Sequence, residues 1–251
     1  MDGLPGLPLT GERTVPDVPL ERYWFARHEA VYRWLVERQG DSWRDVVEAG
    51  CGEGYGAAMI AASPAGPAVV ALDYDPVVVA HVAERYPQVA VAQADLGALP
   101  IRPGSVSVVV SLQVVEHLWN LGGFLTESRR VLRPGGELVV STPNRVTFSP
   151  GVARGEKPTN PFHVEEFDAG QVEAMLRHAG FAAVEVLGLH HGPALVDWET
   201  RNGSVVGAHI DAVLTGDWSP ALLELLPDIT VADFVVGAAA DSLDLIGVGC
   251  R

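Results

Sequence analysis

Apolar positions in this chain change period near residue 45. Before it, residues 21–39 (ERYWFARHEAVYRWLVERQ) set Trp24, Ala30, Val31, Trp34 and Leu35 at helical spacing. After it, short apolar runs alternate with helical stretches. Asp45–Ala49, Ala68–Leu72, Val89–Ala92, Val106–Ser111, Glu137–Ser141 and Phe181–Leu187 read as six strands, and Leu243–Cys250 reads as the last. Val106–Ser111 has no polar alternation, which predicts burial on both faces. Between the strands, Tyr55–Ala62 and Phe124–Leu132 read as helices, as does the run VVVAHVAERY opened by Pro76. Gln171–His178 is a further helix, capped by Gly180. Residues 133–136 (RPGG) form a turn, and residues 143–166 form a long loop with several Pro and Gly.

Strands that alternate with helices predict a parallel sheet with helices on both faces. The expected fold is therefore α/β, a doubly wound, mostly parallel seven-stranded sheet in one domain over residues 1–251. Residues 1–40 would be an irregular arm and a helix, and 41–192 the ligand-binding core. Residues 193–235 break the rhythm and are expected to cap the acceptor face, with 236–251 as the final strand.

Composition narrows the partners. The chain has 32 acidic and 17 basic residues, a formal charge of −15, which repels phosphate backbones and anionic membranes. A neutral acceptor feels little of that field. Cys51 and Cys250 are too few for a disulfide framework and lack metal-binding spacing, so two reduced thiols are expected. The first twenty residues lack a basic segment followed by an apolar one, and no run of about twenty apolar residues exists, so a cytoplasmic location is expected.

The densest chemical signal is Glu48-Ala49-Gly50-Cys51-Gly52-Glu53-Gly54-Tyr55-Gly56, between the first strand and its helix. Glycines there let a ligand press against bare backbone. In a dinucleotide enzyme this place holds a pyrophosphate. An acid at the strand end opposes that and suits the cationic amino group of a methionine-type ligand. Asp73 ends the second strand about twenty residues further on, where an acid accepts ribose hydroxyls. Asp95, in QADLGALP after the third strand, is placed to accept from an adenine amino group.

The set EAGCGEGYG, ALDYD, QADLGALP, SLQVVEHL and RVLRPGGELVVSTPN resembles the class I S-adenosylmethionine (SAM) dependent methyltransferases, from about residue 45 to 187, with their Rossmann-like fold. Residues 10–16 (TGERTVP), the Tyr23-Trp24 helix and residues 160–167 (NPFHVEEF) resemble a bacterial subgroup linked to sugar methylation. The whole chain is similar to actinobacterial members proposed to methylate intracellular polysaccharides rich in O-methylated glucose. The resemblance implies SAM as cofactor and a small-molecule or oligosaccharide acceptor, with a homodimer as one option. It implies that Glu48, Ala49, Gly50, Cys51 and Gly52 face the methionine part, and that Asp73 and Tyr74 hold ribose and flank adenine. Ala94, Asp95 and Leu96 would contact adenine, Gln113 would close the site, and Glu12, Arg13, Tyr23 and Arg27 would fold over the cofactor.

A hydroxyl acceptor needs a base as its new bond forms. His117, after the fourth strand, is the first candidate, with Glu116 either orienting it or acting as the base; a helix cap is the alternative reading. His163 is the second, against a loop-locking role, and Asn144, Glu165, His190 and His191 are expected around the acceptor. His28, His81, His178 and His209 fall in helical patterns and are expected solvated or partly packed; Trp119, Trp198 and Trp218 are candidates to shape the acceptor pocket. No adjacent aspartate pair follows the fourth strand, so chemistry without a metal is expected. Three rivals to sugar methylation remain: another small molecule (quinone, lipid or natural product), protein or nucleic acid, and a non-catalytic SAM-binding protein.

Overall fold

The computed structural model describes residues 7, 13–40 and 42–251. Glu12 lies outside them. The described chain forms one mixed sheet of eight strands in the order β3-β2-β1-β4-β5-β8-β6-β7. Strands β1 (Asp45–Ala49), β2 (Ala68–Asp73), β3 (Ala90–Gln93), β4 (Val106–Leu112) and β5 (Leu132–Pro143) run parallel. Beyond them β8 (Asp244–Cys250) pairs antiparallel with both β5 and β6 (Ala183–His191).

The expected strand count needs a correction. Phe234–Ala238 forms β7, an antiparallel edge strand on β6 that straddles the boundary expected between insert and final strand. It is short, contains a glycine, and buries one end only, so it carries no alternating signal. Strand β6 also runs on to His191, which places His190 and His191 inside it.

Helices cover both faces. Helices α1 (Arg22–Arg38), α2 (Tyr55–Ala61) and α3 (Pro76–Arg85) share a core with α7 (Pro193–Asn202), α8 (Val205–Thr215) and α9 (Pro220–Leu225). On the opposite face, α4 (Leu121–Val131) and α6 (Ala169–His178) pack Phe124, Leu125, Val172 and Leu176 against Val47, Val109 and Leu138. A one-turn helix, α5 (Arg145–Phe148), opens the loop after β5. Strand β4 is buried along its length, as its unbroken apolar run predicts. Its two polar residues serve the sheet: the hydroxyls of Ser107 and Ser111 donate to the carbonyls of Asp45 and Ala49 on β1.

Strand order reverses between β1 and β4. In open α/β sheets the crevice at that reversal, outside the carboxyl ends of the strands, is where ligands bind. The loops after β1, β2, β3, β4 and β5 all open there.

Candidate active site

The loop after β1 is shaped by glycines in the left-handed region. Gly50 has φ +82°, and a Cβ there would sit 2.6 Å from a Val114 methyl, so the chain passes under the β4 loop as bare backbone. Gly52 has φ +52°, but a Cβ there would meet nothing within 4 Å. One glycine answers to packing, while the other faces open space. The Gly52 N–H donates to Asp73 Oδ2 at 3.0 Å, and the Asp75 N–H donates to Oδ1 at 3.0 Å. Burial raises the Asp73 carboxyl, and these two backbone donors draw it back.

Around this rim, Tyr74 is exposed and its carbonyl accepts from the Gln93 amide. Ala94 donates its N–H to the Asp73 carbonyl. Asp95 is exposed, with Oδ1 accepting from the Gly97 N–H, and Leu96 is buried beneath it. Arg13 pairs with Asp75 at 3.4 Å, and Thr14 bonds the Tyr55 hydroxyl at 3.0 Å, which lays the N-terminal arm across this side. These residues fit a nucleoside: bare backbone before an open space, with two separate carboxylates at the rim.

Three residues expected to contact the cofactor have side chains buried among protein partners. Glu48 is wholly buried; its Oε1 accepts from the Tyr32 hydroxyl at 2.5 Å, and Oε2 has no partner among the described residues. It faces Tyr32 of α1, and burial pushes its carboxyl up to about 8. The sequence places Glu48 at the strand end but not on a side of the sheet. Arg27 is 3% exposed and forms a buried ion pair with Asp244. Its guanidinium also lies 4.5 Å above the Phe148 ring. Tyr23 is fully buried, with its hydroxyl 2.7 Å from His191 Nε2. Neither α1 side chain is free to fold over a ligand. Ala49 and Cys51 are buried too, so they offer the crevice backbone only.

Gln113 follows β4 with φ +56°, an uncommon conformation for a residue with a side chain. Its amide donates to Asp244 Oδ1 at 3.1 Å and Ser141 Oγ at 3.2 Å. The strained turn is held by the same aspartate that binds Arg27. Sequence reasoning missed Asp244; an acid opening an otherwise apolar last strand was the available signal.

The next turn brings the proton-handling groups together. Glu116 is buried and its Oε2 accepts from the Thr142 hydroxyl at 3.1 Å. Burial pushes this carboxyl up to about 8, against the pull of its own N–H, His163 and Thr142. The Glu116 carbonyl accepts from the N–H groups of Val164 and Glu165 at 2.7 and 3.3 Å, stitching the loop after β5 to this turn. As a result the rings of His117 and His163 meet edge to face, 5.0 Å between centroids. His117 Nδ1 lies 3.2 Å from the Phe162 carbonyl, and His163 Nδ1 lies 2.7 Å from Glu166 Oε1. Both candidate bases thus share one spot, which their sequence separation does not show.

Asn144 is directed elsewhere: buried, it donates to the carbonyl and hydroxyl of Ser242. His190 and His191 line a cavity of about 330 Å³ with Thr147, Glu199, Ser204 and Asp241. His191 accepts from Tyr23 at Nε2 and meets Glu199 Oε2 at 3.1 Å through Nδ1, and burial lowers its pKa. His209, expected solvated or partly packed, is fully buried between the Trp24 indole N–H at 2.9 Å and the Leu20 carbonyl at 2.6 Å. Trp119 is 90% exposed, whereas Trp198 is core. Among the described residues no helix is long and apolar enough to cross a membrane.

Comparison with known proteins agrees with this geometry. Residues 47–140 match the family model described as a methyltransferase domain. A probable S-adenosylmethionine-dependent methyltransferase of Mycobacterium tuberculosis is 49% identical over 253 residues, covering 98% of this chain and 90% of the relative. One from Mycolicibacterium smegmatis is 46% identical, covering 98% and 95%. A solved structure from Thermotoga maritima, described as a possible histamine N-methyltransferase, shares the fold at TM-score 0.60 and 16% identity, covering 92% of this chain and 98% of that one. The chain therefore belongs to the class I SAM-dependent methyltransferases, with S-adenosylmethionine as its cofactor.

Proposed function

We propose that the chain methylates a hydroxyl oxygen of a sugar or oligosaccharide. The observation that carries this reading is the meeting of His117, His163 and Glu116 just past β4, close to Gln113 at the crevice. An alcohol is a poor nucleophile and needs a proton acceptor where it attacks. Exposed aromatic surface lies beside that acceptor: Trp119 two residues from His117, and Phe162, 59% exposed, next to His163. Such faces suit the C–H surface of a sugar ring. The cavity bounded by Thr147, His190, Glu199, Ser204 and Asp241 offers hydroxyl, imidazole and carboxylate groups to a polyhydroxylated acceptor. The charge of −15 disfavours polyanionic acceptors.

SAM, when bound, would supply an electrophilic methyl group carried on a sulfonium. The protein aligns and dries the site. Gly50 and Gly52 would present backbone to the methionine portion, Asp73 would take the ribose hydroxyls, and Asp95 with Leu96 would border adenine. Through Nδ1, His117 is held by the Phe162 carbonyl, so in its neutral form Nε2 is the acceptor for the hydroxyl proton. Burial raises the Glu116 carboxyl, and in this reading Glu116 positions His117 rather than acting as the base.

The test is transfer of labelled methyl from SAM to hexoses, α-glucan oligosaccharides and intracellular glucans. Label in a carbohydrate hydroxyl is expected. Label only in a quinone, lipid or protein would overturn the sugar reading, and no transfer at all would favour a non-catalytic role.

A further inference from the structure

We propose that Glu116, His117 and His163 hold a first-row divalent cation, with Zn²⁺ or Mn²⁺ as the best chemical match. The reading deepens the proposed hydroxyl methylation and rests on it only for the ion's role, not for its binding.

Each of the three offers one ligand atom, and these atoms lie within 4.8 Å of one another. Glu116 Oε1 and His117 Nε2 are 4.0 Å apart. An ion with bonds of about 2.1 Å sets neighbouring ligand atoms roughly 3 to 3.5 Å apart, so the group closes by about an ångström on binding.

The supporting contacts already have the pattern of a metal site. A ligating histidine gives its other ring N–H to a carboxylate or a backbone carbonyl, which fixes the tautomer. Both histidines do so here: His163 Nδ1 against Glu166 Oε1 at 2.7 Å, and His117 Nδ1 against the Phe162 carbonyl at 3.2 Å. The Asn160 amide donates to His163 Nε2 at 3.0 Å, so an ion taking that nitrogen would displace Asn160. Thr142 anchors the far oxygen of Glu116 and leaves Oε1 toward His117. Glu166 is 2% exposed, and its Oε2 has no hydrogen-bond partner among the described residues. A buried carboxylate spent on orienting one imidazole is costly for a ring that only locks a loop. It is understandable behind a cation, whose charge it offsets.

Two imidazoles and one carboxylate suit borderline metals better than Mg²⁺, which prefers oxygen ligands. Three protein ligands leave a position for an acceptor hydroxyl. A cation there would lower that hydroxyl's pKa and fix its direction of attack; with Nε2 on the ion, His117 serves as a ligand in place of the base, and the hydroxyl proton leaves to water. The expectation of metal-free chemistry came from the lack of an aspartate pair; this cluster uses other ligands, drawn from two loops.

The experiment uses the full chain without a histidine tag, stripped with a chelator and dialysed. Zn²⁺ and Mn²⁺ are titrated separately by calorimetry, and bound metal is counted by mass spectrometry. One ion per chain is expected. His117→Ala and His163→Ala should each weaken binding at least about 100-fold, and Glu166→Gln about 10-fold. Asp73→Ala should keep the full ion stoichiometry. Binding of S-adenosylhomocysteine by the histidine variants checks that they fold. Failure of the stripped chain to take up either ion overturns the proposal, as does unchanged affinity in the His117→Ala/His163→Ala double variant. Labelled carbohydrate formed at full rate in excess chelator would sink the metal and leave the sugar reading standing. A bound ion without carbohydrate labelling would do the reverse.

Discussion

At the proposed cofactor end of the crevice, Gly52, Asp73 and Asp95 lie at or within three residues of a strand end, and both carboxylates accept from backbone N–H groups close by. At the proposed acceptor end, His117 and His163 come from different loops, and their meeting depends on the Glu116 carbonyl capturing Val164 and Glu165. A closed polar core adjoins them, in which Asp244 joins Arg27 of α1 to Gln113, the residue after β4. The cofactor end is made by local backbone geometry, and the acceptor end by tertiary stitching. Ends built so differently should fail differently when perturbed.

The largest expected effect separates them by kinetics. His117→Ala should lower turnover by roughly 10²- to 10⁴-fold while S-adenosylhomocysteine still binds. Turnover within about a factor of two of the parent would show that the acceptor end does not use this ring. Next comes the junction. Asp244→Ala leaves the Arg27 charge buried without its partner and should cost about 3–5 kcal/mol in denaturant unfolding. A much smaller loss would mean that water reaches Arg27.

Asp73→Ala tests the cofactor end. Two hydrogen bonds to a charged acceptor, at about 1.5–3 kcal/mol each, set the scale, so calorimetry should show at least a 100-fold weaker affinity for S-adenosylhomocysteine. Normal binding would move the ribose elsewhere. A paired glycine experiment sharpens this. Gly52→Ala should cost stability about 1–2 kcal/mol for its left-handed backbone, yet weaken cofactor binding by more than that strain explains. Gly50→Ala should lose more stability, because its Cβ also runs into Val114. Equal losses in both assays would erase the distinction between a packing glycine and a ligand-facing one.

The smallest effect is in pH dependence. Glu48 and Glu116 are raised to about 8, whereas an unfolded glutamate titrates near about 4.3. Between those values the folded chain keeps protons that the unfolded chain has released. Stability from this source is therefore full below about pH 4 and falls as pH rises through 8. Glu48→Gln should make the decline in Tm from pH 5 to 9 shallower. An unchanged slope would show that Glu48 is ionised in the fold.

What the sequence determined by itself was the alternation of strands and helices, the position of the glycine loop, and the acids at the ends of β2 and β3. These are local properties: period, backbone permissiveness and chain order decide them before any distant contact forms. Tertiary structure alone decided which side of the sheet Glu48 faces, that Arg27 and Tyr23 are sealed by Asp244 and His191, and that β7 adds an eighth strand. It alone brought His117 to His163. The reason is that a side chain's partner across a sheet or between loops depends on packing of segments far apart in the chain, and no short window of residues carries that information.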